Sequence, residues 1–206
     1  SGAIANPDLI KQSAQRYGNQ CVVISADIKR VSGAFHVFAK GGREDTGMDA
    51  VPWIVRCVRE GAGEVVVNSM DTDGVKNGFD LELLDAVCKA VDVPVIANGG
   101  VFSLADGQRL MDETGAAGIM IARAALFDPQ IFTEFSGVNR ESKRVMFEKQ
   151  MQETRALFDE RFTTVFMRKM AAFYVKGERG AAACKERLFA AKTPDEVLAI
   201  TREIWQ

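Results

Sequence analysis

The chain predicts an α/β fold built as half of a (β/α)8 TIM barrel, with four parallel βα units standing for strands 5–8, followed by a small all-helical domain. Three observations carry this. Short apolar runs alternate with amphipathic stretches at helical spacing, as strands buried on both faces and their crossover helices do. The apolar runs end in Asp, Asn or Gly, which supply loops at strand ends. After Pro129 the pattern turns all-helical. A complete barrel takes about 250 residues, so 206 residues accommodate half of one plus a helical module. The expected division is 1–135 and 136–206.

In order along the chain, Asn6-Pro7 is an N-cap followed by a first helical residue, and the helix turns Leu9, Ile10, Ser13, Ala14 and Tyr17 inward before stopping at Gly18. Residues 20–26 (QCVVISA) are the first full strand, with Asp27 at its C-terminal end. Residues 31–38 read as a hairpin turning on Ser-Gly. Thr46-Gly47 leads into a helix carrying Val51, Trp53, Ile54 and Cys57, which ends at Gly61-Ala62-Gly63. The stretch from Glu64 to Gly100 organises the rest. EVVVNS is a strand, residues 70–78 are a loop rich in Asp, Asn and Gly, Leu81 to Val91 is a helix, and PVIA is a strand closed by Asn98-Gly99-Gly100. Two successive Gly-bearing strand-end loops, with backbone N–H groups pointing outward, predict a phosphorylated ligand. Ser103 starts another helix, and GIMIA is the last strand, with Arg123 at its end. In the tail, Met146, Phe147 and Met151 share a helix. Phe162, Val165, Phe166, Met170 and Phe173 form the stripe of the next, and Thr193-Pro194-Asp195-Glu196 is a capping box opening the last.

Composition narrows the function classes. Residues 1–138 carry 12 basic and 18 acidic side chains, whereas residues 139–206 carry 14 and 10; the two parts therefore suit different partners. Cys21, Cys57, Cys88 and Cys184 form no C-x-x-C pair and read as buried free thiols in a reducing cytoplasm, with no metal site. No early apolar run suits a signal peptide or a membrane span. His36 is the only histidine and lies among alternating apolar residues, which leaves a histidine-based triad without support.

QCVVISADIKRV, GGREDTGMDAVPW, GAGEVVVNSMDTDGVKNGFD and VPVIANGG resemble, in that order, the C-terminal half of the cyclase subunit of imidazole glycerol phosphate synthase. This resemblance implies a lyase of histidine biosynthesis that needs no cofactor. Asp27 matches its general acid/base; Asp73, Gly74, Gly99 and Gly100 match its phosphate loops, with Ser1 the remnant of a second phosphate site. Glu64 matches a charged gate for ammonia. It further implies a glutaminase subunit, or a second half-barrel supplying the missing strands, as partner.

From residue 94 onward, PVIANGGVFSLADGQRLMDETGAAGIMIARAAL and MRKMAAFYVKGERGAAACKERL are similar to the C-terminal part of tRNA-dihydrouridine synthases, so that the chain reads as a chimera of two families. That resemblance implies FMN, its phosphate gripped by Asn98, Gly99 and Arg123, and tRNA contact through Arg161, Arg168, Lys169 and Lys176. The eight basic residues between positions 161 and 192, against two acidic ones, fit a phosphate backbone. A third reading is a non-catalytic phosphate-binding half-barrel. The unpaired outer edges of QCVVISA and GIMIA, with an open apolar inner face, predict a homodimer.

Overall fold

The computed structural model describes residues 1–71 and 79–205, which fall into two compact units, Ser1–Ala122 and Arg123–Gln206. The first opens with α1 (Gly2–Ala5), α2 (Asp8–Tyr17) and a 3-10 turn (Asn19–Cys21). There follow β1 (Val23–Val31), β2 (Ala34–Ala39), β3 (Glu44–Asp49), α3 (Ala50–Arg59), β4 (Glu64–Ser69), α4 (Leu81–Ala90), β5 (Val95–Asn98), α5 (Leu104–Thr114) and β6 (Gly118–Met120). Among the described residues these strands form one sheet in the order β3-β2-β1-β4-β5-β6. The strands β1, β4, β5 and β6 are parallel, and β2 and β3 are antiparallel additions.

The mixed sheet corrects two expectations. The first strand neither begins at Gln20 nor ends before Asp27. Residues 19–21 form the 3-10 turn, and β1 continues through Asp27 to Val31 because β2 pairs with it from Asp27↔Phe38 to Val31↔Ala34. The turn between them, Ser32 at φ 50° and Gly33 at φ 91°, has the two positive dihedrals that a right-twisted hairpin needs. Consequently β1 is covered along residues 27–31, and the outer strand on that side is β3, rich in acidic side chains.

One face of the parallel strands is the core. Ile24, Ala26 and Ile28 from β1, Val65 and Val67 from β4, and Val95 and Ala97 from β5 are buried, as are Ile54, Cys57, Leu83, Leu84, Val87 and Leu110 on the helices. Full burial of a side chain such as Leu84 stabilises the fold by about 2 kcal/mol. The helices start where side chains satisfy their first amides: Asp49 accepts from Val51 N, Asp80 from Leu83 N and Ser103 from Asp106 N. In α2 only Ile10 is buried, while Leu9 and Tyr17 are exposed. Cys21 is exposed and Cys57 and Cys184 are buried.

The second unit consists of α6 (Arg123–Phe127), α7 (Ile131–Ser136), α8 (Lys143–Leu157), α9 (Glu160–Tyr174), α10 (Ala181–Ala190) and α11 (Pro194–Ile204). Its core joins Phe147 and Met151 of α8, Met167, Met170 and Tyr174 of α9, Leu188 of α10 and Val197 of α11. Trp205 meets Phe147 edge-on, ring centroids 5.5 Å apart. Of the stripe expected on α9, Met170 is buried and Phe166 and Phe173 pack against the core. Thr163, Thr164, Met167, Met170, Ala171 and Tyr174 are the buried positions of this helix, and Phe162 and Val165 are exposed. Phe162 instead stacks between Phe158 and Phe166, at 4.3 and 5.7 Å. No helix among the described residues is long and apolar enough to cross a membrane.

Candidate active site on the open face of the sheet

The face of the sheet opposite the core carries the polar residues, and strand register sorts them into rows. Side chains two residues apart share a face, so the pairings Asp27↔Phe38, Asp27↔Asn68, Asn68↔Asn98 and Asn98↔Met120 set one row across five strands. Below it lie Ser25, Val66, Ile96 and Gly118, and below those Val23 and Glu64. The side chains of this face stack in layers along the sheet, and Val23 and Met120 are both nearly half exposed. Three of the five residues in the upper row, Asp27, Asn68 and Asn98, are polar, and Phe38 and Met120 flank them.

Three hydrogen bonds tie the row together. Asn68 Nδ2 donates to Ser25 Oγ at 2.9 Å and to Asp27 Oδ1 at 2.9 Å. Asn98 Nδ2 donates to Asn68 Oδ1 at 2.6 Å. Asp27, Asn68 and Asn98 are all half-buried, and they line a cleft of about 430 Å³ that Gly41 and Met70 border from above. One layer higher, Lys29 Nζ donates to Gly42 O at 3.2 Å and lies 4.8 Å from the Phe38 ring centre. His36 Nδ1 meets the Asp45 carboxylate at 3.1 Å. The Gly47 amide, then His36, hold the Asp45 carboxyl below the usual carboxylate range. Arg30 fastens the hairpin to the rest. Its backbone N–H donates to Asp71 Oδ2 at 2.5 Å, and its guanidinium bonds Asp80 and Glu82, both of which raise its pKa.

A family model described as "Histidine biosynthesis protein" matches residues 1–131. The chain belongs to that family. Among curated proteins it is similar to the imidazole glycerol phosphate synthase subunit HisF of Lactococcus lactis subsp. cremoris, 47% identical over 124 residues, 59% of this chain and 48% of that protein. The corresponding subunit of Streptococcus mutans serotype c is 45% identical over 123 residues, 59% of this chain and 49% of the relative. That of Streptomyces griseus subsp. griseus is 46% identical over 143 residues, 69% of this chain and 57% of the relative. The chain thus spans about half the length of the curated relatives it matches.

Within the family-matched residues, those singled out from sequence fall at distinct places. Asp27 and Asn98 share the upper row. Gly99 and Gly100 follow β5 with φ 103° and 71°, a conformation that favours glycine, and lead to the Ser103-capped start of α5. Asp73 and Gly74 lie outside the described residues. Glu64 is half-buried at the other end of β4, four residues from Asn68, or roughly 13 Å along the strand. Ser1 is exposed, and its Oγ accepts from Lys40 N at 2.8 Å. Two residues of the network, Ser25 and Asn68, were not singled out as site residues. Their signal was the period of two, which puts Ser25 on the same face as Asp27, and the recurrence of a polar residue at the C-terminal end of consecutive strands.

The other named residues belong to the second unit. Arg123 is the half-buried first residue of α6. Arg161 and Lys169 are exposed. Arg168 Nη1 donates to Phe189 O and Ala191 O at 2.9 and 3.1 Å, closing the C-terminal end of α10. Lys176 Nζ lies 4.1 Å from the Phe127 ring centre.

Proposed function

We propose that residues 1–131 supply the strand 5–8 half of a cyclase site of the imidazole glycerol phosphate synthase type, a lyase of histidine biosynthesis acting on a phosphorylated small molecule. The observation that carries this is a carboxylate, Asp27, held by Asn68 at the C-terminal end of the parallel strands, where barrel enzymes of this architecture do their chemistry. The family match across the same strands supports it. Asp27 acts as general acid/base, moving protons while ammonia opens the substrate and the imidazole ring closes. The backbone amides of Gly99 and Gly100, with Asp73 and Gly74, bind one ligand phosphate. Ser1 marks the edge of the other. Glu64, at the far end of the strands, gates ammonia delivered by a glutaminase subunit.

The reading requires no cofactor and places the protein in the cytoplasm. In this reading the site is completed by strands 1–4 of the barrel, which contribute its other wall. Asn98 commits a side-chain N–H to Asn68, which favours this reading over one in which it grips FMN.

The test is reconstitution. Strands 1–4 of the Streptomyces griseus relative are combined with this chain, and ammonia-dependent turnover is measured. Wild type is expected to turn over, and Asp27→Asn to lose about 10²-fold or more in kcat. An inactive, folded wild-type complex would overturn the cyclase reading.

A further inference from the structure

The amide row does more than fill space, because its hydrogen bonds run in one direction. An ionised carboxylate only accepts, so Asp27 obliges Asn68 to present Nδ2. With both Nδ2 hydrogens committed to Ser25 and Asp27, Asn68 turns Oδ1 toward β5. That oxygen can only be met by a donor, and Asn98 supplies it. Each amide orientation is therefore set by the group before it, starting from the carboxylate and ending two strands away. The arrangement anchors Asp27 to Asn68 through Oδ1, in the wall of the cleft.

We infer that Asn68 and Asn98 are positioning residues for Asp27, and that the Asn98 side chain serves proton transfer rather than ligand phosphate. The inference rests on the cyclase reading for the word proton transfer, but not for the coupling itself. Asn68 restrains the carboxylate against rotation, and Asn98 restrains Asn68 against an amide flip that would set Oδ1 against the Asp27 oxygen. Phosphate is left to the backbone amides after Asn98, whose positive φ angles are independent of its side chain.

The first arm uses the full 206-residue chain and the side-chain amide signals of Asn68 and Asn98 in ¹⁵N–¹H spectra. Asp27→Ala is expected to move both pairs. An Asn98 pair that stays in place while the Asn68 pair moves would overturn the relay. The second arm titrates inorganic phosphate calorimetrically into wild type and Asn98→Ala. Equal affinity supports the assignment, and a loss of tenfold or so would return Asn98 to the phosphate site. The third arm uses the reconstituted enzyme with Asn98→Asp, which keeps the shape of Asn98 but not its N–H donors. It is expected to lose about tenfold or more in kcat with KM nearly unchanged, and a raised KM at full kcat would overturn the role. Should reconstituted wild type be inactive, the cyclase reading falls alone, and the first two arms still decide the coupling.

Discussion

At the scale of single residues, burial rather than charge governs the thiols. Cys57 is 3% exposed among Ile10, Val22, Ile24 and Ala62, and desolvation pushes its thiol up to about 11. The neutral form is favoured in the fold, so stability is fully present below the unfolded value near 9 and falls between there and about 11. Urea midpoints should therefore drop on going from pH 8.5 to 10.5, and Cys57→Ala, though less stable throughout, should show a smaller drop. Identical pH slopes in the two proteins would count against it. The same scale explains the part of the α9 stripe that was misread. Thr164 satisfies its hydroxyl on the Glu160 carbonyl at 2.7 Å and can then be buried, while Phe162, itself exposed, stacks on Phe158 and Phe166. A count of apolar residues at helical spacing cannot register either fact.

Among the elements, those whose signals are local were legible. The Ser32-Gly33 turn, the caps at Ser103 and Thr193 and the parallel strands follow from turn chemistry, N-cap preference and apolar runs. β3 was not legible. Its sequence, EDTGMD, has no hydrophobic period, and its strand conformation comes from pairing with its neighbour β2, which an apolar count does not register. The same limit applied to Asn68, whose role depends on register with β1 and β5. Close approach between elements was equally hidden. Gly63 follows the α3 end and donates to Val22 O at 2.9 Å, and a Cβ there would meet the Asn19 carbonyl oxygen. Backbone cannot move aside cheaply, so Gly63→Ala should destabilise by about 1–3 kcal/mol. Thermal melts read this directly, and a variant as stable as wild type would show that the 3-10 turn yields.

For the molecule as a whole, the helical unit carries its own core. Phe147, Met151, Met167, Leu188 and Val197 are each 0% exposed and all belong to Arg123–Gln206. Residues 123–206 expressed alone should therefore melt cooperatively with helical circular dichroism, whereas a broad, featureless transition would mean that this core needs the first unit. The charged strand β3 makes the sheet edge on its side a poor template for another chain. The hairpin has one further use. Ser32 and Gly33 are exposed, and a Cβ on Gly33 would meet no described atom within 4 Å. A short peptide or a fluorescent reporter grafted at this tip would stand clear of the packed core, tethered to β1, the strand that bears Asp27. Such a graft turns the turn into a handle, through which a ligand or partner reaching the Asp27 face could be followed as a change in the light emitted.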